Sequence, residues 1–192
     1  SKDNAICDSS YDDSRTHGGL TDFGKSVVTR MNELGVMIDI SHVSDPAFFD
    51  VMKLTRAPVI ASHSSARHFT PGFERNMSDA MIKLVGENDG VVMINFGSTF
   101  ISAKSRAHSD ARRKVLRAFM AEHQLEWQDP KVQAYKDEYD AKNPFVYADV
   151  KDVADHVDHI AKIAGIETVG WGSVLEGGGD TLPTNLKDAS RF

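Results

Sequence analysis

Cysteine is almost missing from this sequence of 192 residues, where Cys7 stands alone. A single cysteine rules out an intrachain disulfide and a cysteine-rich zinc cluster, and it leaves the redox compartment undecided. No apolar run approaches the roughly 18 residues that span a bilayer. The opening Ser1-Lys2-Asp3-Asn4 has nothing of the basic and apolar pattern of a signal peptide. A surplus of positive charge is missing as well, since 22 Lys and Arg face 28 Asp and Glu for a formal net charge of −6. That balance suits phosphate backbones poorly, so nucleic acid is not an expected partner. What remains is a globular composition, 41% hydrophobic and 26% charged, long enough for one domain with a real core.

Helix signals alternate with short apolar runs. Phe23, Val27, Val28, Met31 and Leu34 fall on one helical face, with Thr21 as a cap and Gly35 as a stop. Val36 to Ile40 then reads as a strand buried on both faces. Ser44-Asp45-Pro46 opens a second helix, with proline in its first turn. Pro58 to Ala61 is a second strand, Ser78 to Val85 a short capped helix, and Gly90 to Phe96 a third strand. A polar, helix-favouring stretch at about 97–146 follows, and long segments of this kind often cover active sites. Tyr147 to Ala164 predicts an amphipathic helix and Glu167 to Gly172 a fourth strand. Strands alternating with helices imply right-handed βαβ units and a parallel sheet. The expected class is α/β, about four βα units of a partial (β/α)8 barrel, whose full form takes about 250 residues and eight strands. An open doubly wound sheet competes, without a Gly-x-Gly-x-x-Gly turn to support a dinucleotide version.

Two successive strands end in the same dipeptide, Ser41-His42 and Ser62-His63, with the histidines 21 residues apart. Parallel sheets gather functional groups at the carboxyl ends of their strands, and neighbouring strands lie about 4.8 Å apart. Two histidines at matching ends can therefore converge on one metal ion. Strand alternation puts Ile38, Ile40 and His42 on one face and Val59, Ala61 and His63 on another, so both histidines are expected on barrel-lining rows. The competing reading is that each bonds a backbone carbonyl at its strand end. Arg75, in the loop after the second histidine strand, can grip a carboxylate through two parallel hydrogen bonds. Asp39 needs a partner if buried.

The other histidines carry less. His156 and His159 are three apart on a predicted helix, a spacing compatible with metal binding, yet their surroundings read as a solvated outer face. His108-Ser109-Asp110 imitates a His-x-Asp metal motif but lies in the charged insertion. His68 is close to His63 in a loop with its role open, and His17 and His123 have no supporting context. Gly177-Gly178-Gly179 offers backbone amides to an anion, which is weak ground on its own.

Gly18 to Gly24, Ile38 to Ser44, Arg56 to Arg67, Arg75-Asn76, Asp155 to Ile160 and Gly179 to Asp188 together resemble the renal (membrane) dipeptidase family of zinc metallopeptidases. The resemblance covers most of the chain outside 97–146. It implies a (β/α)8 barrel that hydrolyses dipeptides with a hydroxide bridging two zinc ions. On that reading residues 1–192 are the C-terminal half of the barrel, with a helical insertion at about 97–146. His42 and His63 would ligate one zinc, and Arg75 would bind the free carboxylate of the dipeptide. The substrate-binding histidine would fall just before Ser1, with the His-x-Asp pair and bridging glutamate further upstream, leaving at most a partial site here.

The family's last-strand Gly-Ser-Asp-Phe-Asp/Glu-Gly reads Gly172-Ser173-Val174-Leu175-Glu176-Gly177 in this chain. Val174 occupies the family's aspartate position and can neither assist metal binding nor transfer a proton. Glu176 matches the second acidic position. Two expectations stand side by side. One is an enzyme half completed by an N-terminal half-barrel chain. The other is a non-catalytic barrel fragment that associates with a partner or a second copy of itself, keeping at most a residual metal site.

Overall fold

The structure is a computed structural model, and it describes residues 2–172 and 181–186. Seven α-helices and four strands alternate through the described residues: α1 (Asp22–Leu34), β1 (Ile38–Asp39), α2 (Asp45–Leu54), β2 (Val59–Ala61), α3 (Asp79–Glu87), β3 (Val91–Ile94), α4 (Ser98–Ile101), α5 (Ala103–His123), α6 (Pro130–Lys142), α7 (Val150–Ala164) and β4 (Val169–Trp171). The strands form one parallel sheet in the order β1-β2-β3-β4. Each step adds a neighbour on the same side, which is how a barrel grows and a doubly wound sheet does not.

Local chemistry fixes the helix ends. The side chains of Thr21, Ser44 and Ser78 accept from Gly24, Ala47 and Met81 amides, and Asp149 and Asp152 form a reciprocal capping box. Gly35, at φ 67°, closes α1 by returning its N–H to Met31 and Asn32 carbonyls.

The core lies between one face of the sheet and the helices. Ile38, Ile40, Val59, Ala61, Val92 and Ile94 meet Phe48, Val51, Ile82, Val85, Val153 and Ile160 there. Two expectations about burial fail. The β1 run is not buried on both faces, because Val36 and Met37 are 50% and 62% exposed. On α1, Phe23 and Leu34 are exposed while Gly24 and Val28 are buried. Gly24 is inside because the Ile6 carbonyl runs over it, where a Cβ would come within 2.1 Å. The other face of the sheet, with Met37, Asp39, Ile60, Val91 and Met93, has no second layer among the described residues.

The stretch at 97–146 is helical. Its long pair, α5 and α6, is joined by buried Leu116 and Val132, by Phe119 stacked on Tyr135 at 4.0 Å, and by a two-bonded Arg112–Asp140 pair. Among the described residues no helix is long and apolar enough to cross a membrane.

Candidate metal centre at the strand ends

β1 and β2 deliver His42 and His63 to the same end of the sheet, with their Nε2 atoms 2.9 Å apart. Alternation does not put them there. Ile38, Ile40, Val59 and Ala61 pack toward the helices, so an unbroken strand would send His42 and His63 into the core. Both histidines lie beyond their strands, and His42 adopts φ 73°, a left-handed turn that re-aims its ring. The turn is held from outside: the Ser10 amide and hydroxyl both donate to the His42 carbonyl, at 2.9 and 3.2 Å.

The tautomer of His63 follows from its neighbours. The Ser62 hydroxyl donates to the Asp39 carboxylate at 2.5 Å and lies 2.7 Å from His63 Nδ1. With its proton committed to a carboxylate, Ser62 Oγ accepts from Nδ1–H. His63 Nε2 is thereby left with a bare lone pair aimed at His42, and a carboxylate-linked imidazole is the usual outer support of a metal ligand. Asp39, exposed on the open face, also accepts from the Ser41 and Ser62 amides. Burial pushes its carboxyl up, but these hydrogen bonds outweigh that and hold it below the ordinary carboxylate range.

Arg75 is 2% exposed and comes from a tightly pinned loop. Arg67 grips Asp45 with two bonds of 2.6 and 2.7 Å and donates to the Asn76 carbonyl. The buried Asn76 side chain ties Ser65, Thr70 and Phe100 together. Arg75 itself donates to the Ser64 hydroxyl and to the His63 carbonyl, both at 2.7 Å, while its buried Nε has no hydrogen-bond partner. Phe100, on α4, lies 5.7 Å from its guanidinium. Burial pulls the His42 pKa down to about 4, helped by the Arg75 charge and by His63. Burial and then Arg75 also lower His63. Both rings are therefore neutral near pH 7, as ligation requires.

The donor set fits a divalent ion. Zinc held at 2.0–2.1 Å with tetrahedral angles separates two nitrogens by roughly 3.3 Å. The pair thus needs to open by only a few tenths of an ångström.

The remaining candidates separate clearly. His156 is not on a solvated face. It is fully buried, accepting from the Ala66 amide at Nδ1 and donating from Nε2 to the Ile101 carbonyl. His159 instead reaches Asp79 and stacks on His68. His108 sits on α5 beside Phe145 and bonds the Asn143 carbonyl. Val174, Glu176 and Gly177-Gly178-Gly179 lie outside the described residues. Reading the residues alone missed Tyr11, whose ring stands 5.7 Å from His42 and 6.2 Å from Phe73. It also missed the Ser62–Asp39 support, which the repeated Ser-His dipeptide could have signalled.

Known proteins resemble this chain in both sequence and fold. The family model described as membrane dipeptidase (peptidase family M19) matches residues 1–192. Dipeptidase aclJ of Aspergillus oryzae is 41% identical over 92 residues, which is 48% of this chain and 22% of that protein. The crystal structure of the probable dipeptidase PvdM from Pseudomonas aeruginosa superposes with a TM-score of 0.72 at 27% identity, covering 94% of this chain and 49% of that one. A metallopeptidase from Rhodobacter sphaeroides, liganded with a phosphinate mimic of the dipeptide L-Ala-D-Ala, gives a TM-score of 0.63 at 28% identity, covering 92% and 39%. The chain therefore spans half or less of the length of these relatives. Its four βα units correspond to part of a TIM-type barrel.

Proposed function

The chain belongs to the membrane dipeptidase family, peptidase family M19, and we propose that it is the C-terminal half of a zinc-dependent dipeptidase barrel. The observation that carries this reading is the facing His42–His63 pair beside a buried arginine with an unused donor. Family membership implies a metal cofactor, and the assignment of zinc rests on the donor set. His42 and His63 hold the ion through Nε2. Ser62 and Asp39 keep the His63 proton on Nδ1, so the ligand atom stays available. Burial, helped by the Arg75 charge, keeps both imidazoles unprotonated, and the same charge attracts the free carboxylate of a dipeptide. When bound, the metal pair of a complete site polarises the peptide carbonyl and lowers the pKa of the attacking water. Val174 cannot handle protons, so that task falls to another group of the completed barrel.

The insertion at about 97–146 acts as a roof over the substrate carboxylate pocket through Phe100. The open sheet face supports completion by an N-terminal half-barrel, since Met37 is 62% exposed on it and Ile60 is only partly buried among the described residues. The decisive experiment supplies that half and assays cleavage of Ala-Ala with and without zinc. Zinc-dependent hydrolysis is expected. Arg75→Lys should lower kcat/KM by roughly 10- to 100-fold, the loss of a charge-assisted pair worth about 1.5–3 kcal/mol, while leaving the poor cleavage of the dipeptide amide unchanged. An assembled, zinc-loaded barrel with no hydrolysis, even after Val174→Asp, would sink the reading.

Val174 favours a second reading, a non-catalytic fragment that closes its sheet by association and keeps one weak metal. Native mass spectrometry with zinc separates the two. A closed homo-oligomer supports this second reading, and a monomer that assembles only with the N-terminal half supports the first.

A further inference from the structure

A second histidine cluster lies on the outer layer, apart from the strand-end pair. His68 sits on the 3-10 turn Arg67–Phe69, Asp79 is the first residue of α3, and His159 lies on α7. Their ligand atoms all fall within 4.8 Å of one another. His159 Nε2 is 2.8 Å from Asp79 Oδ1, and the His68 and His159 rings stack at 4.4 Å with 23° between their planes. We infer that His68, Asp79 and His159 form a separate divalent-metal site, taking a transition cation of the Zn2+ or Co2+ kind.

Two imidazoles and a carboxylate are the donor set that zinc and its neighbours take, and three protein ligands leave the remaining position to water. The cluster comes from three elements far apart in sequence, which a helical i, i+4 pair does not achieve. Phe69 backs both rings edge-on, at 4.9 Å from His68 and 5.5 Å from His159, so the histidines stand against an apolar wall. His68 is exposed and can turn its ring from the stacked position toward the His159–Asp79 contact. The neighbouring His156 is not a ligand, because backbone groups engage both of its nitrogens. The site holds no substrate-facing group. An ion here ties the loop that carries Arg75 to the start of α3 and the middle of α7, so it stabilises the outer layer.

The test uses the 192-residue chain with zinc and cobalt as probes. Bound zinc is counted after dialysis, the cobalt absorption spectrum reports nitrogen and oxygen ligation, and Tm is measured with and without zinc. His68→Asn should remove one zinc per chain and abolish part of the zinc-induced rise in Tm, with an unchanged circular dichroism spectrum. The His42→Asn/His63→Asn double variant should retain one zinc, and adding His68→Asn to it should remove that one. Asp79→Asn is the second probe and should weaken the same site. Unchanged zinc content in His68→Asn, or no zinc in a folded His42→Asn/His63→Asn chain, overturns the assignment.

Discussion

Two pairs of histidines, three or twenty-one residues apart in sequence, end in opposite chemical situations. His42 and His63 turn their Nε2 atoms toward each other, with the far side of one ring anchored on a serine–aspartate relay. His156 buries both nitrogens against backbone groups, and His159 points away from it. A histidine whose two nitrogens both meet backbone partners stitches a core together. One whose Nδ1 is fixed by a polar side chain keeps Nε2 for something else. The difference is set by what meets the ring, not by the residue or its spacing.

The largest effect should come from the strand-end pair. In the completed barrel, His63→Ala is expected to reduce dipeptide hydrolysis at least about 10³-fold, roughly 4 kcal/mol of transition-state stabilisation. Circular dichroism should barely change, since the ring is only half-buried. Hydrolysis surviving within tenfold would erase the distinction between the pairs.

His156→Phe should act on stability instead. It orphans the Ala66 amide and the Ile101 carbonyl at about 1–3 kcal/mol each, so denaturant unfolding should show a loss of roughly 2–6 kcal/mol while zinc binding persists. The penalty should also depend on pH. Burial holds the His156 pKa down to about 4, against an ordinary 6.5. The unfolded chain therefore binds this proton first as pH falls, and the native advantage is full above 6.5 and lost toward 4. The gap between wild type and His156→Phe should narrow by on the order of 3 kcal/mol across that window. A constant gap would mean that His156 titrates normally and is not the core stitch described above.

The parts of the fold written in local chemistry were legible from sequence. Thr21, Ser44 and Ser78 cap the helices they announce, and the four apolar runs are the four strands. The paired Ser-His dipeptides located the candidate site. What failed depended on distant chain. The burial of α1 reversed at Phe23 and Gly24 because residue 6 lies over the glycine, and β1 stayed open because nothing covers its inner face among the described residues. The orientation of His42 needed a left-handed turn held by Ser10, 32 residues away, and no strand periodicity encodes that. His156 looked solvated between Asp155 and Asp158, yet the angular step along α7 puts it beneath the 3-10 turn at Arg67–Phe69, with Phe69 at 4.5 Å.

The smallest effect tests the relay itself. Asp39→Asn keeps size and shape but removes the charge that takes the Ser62 proton. An amide side chain can then donate to Ser62 Oγ, which frees the hydroxyl proton to turn toward His63 Nδ1. That reversal would place the imidazole proton on Nε2, the atom that has to stay bare. Losing an outer partner of this kind typically costs 10- to 100-fold in metal affinity, and zinc titration of Asp39→Asn should fall in that range without loss of the fold. Ser62→Ala should give a similar drop, and the double variant little more than either alone, because the two residues act through one proton. Additive losses would show that Asp39 works on the site by its charge alone, and the tautomer of His63 would then have to be set elsewhere.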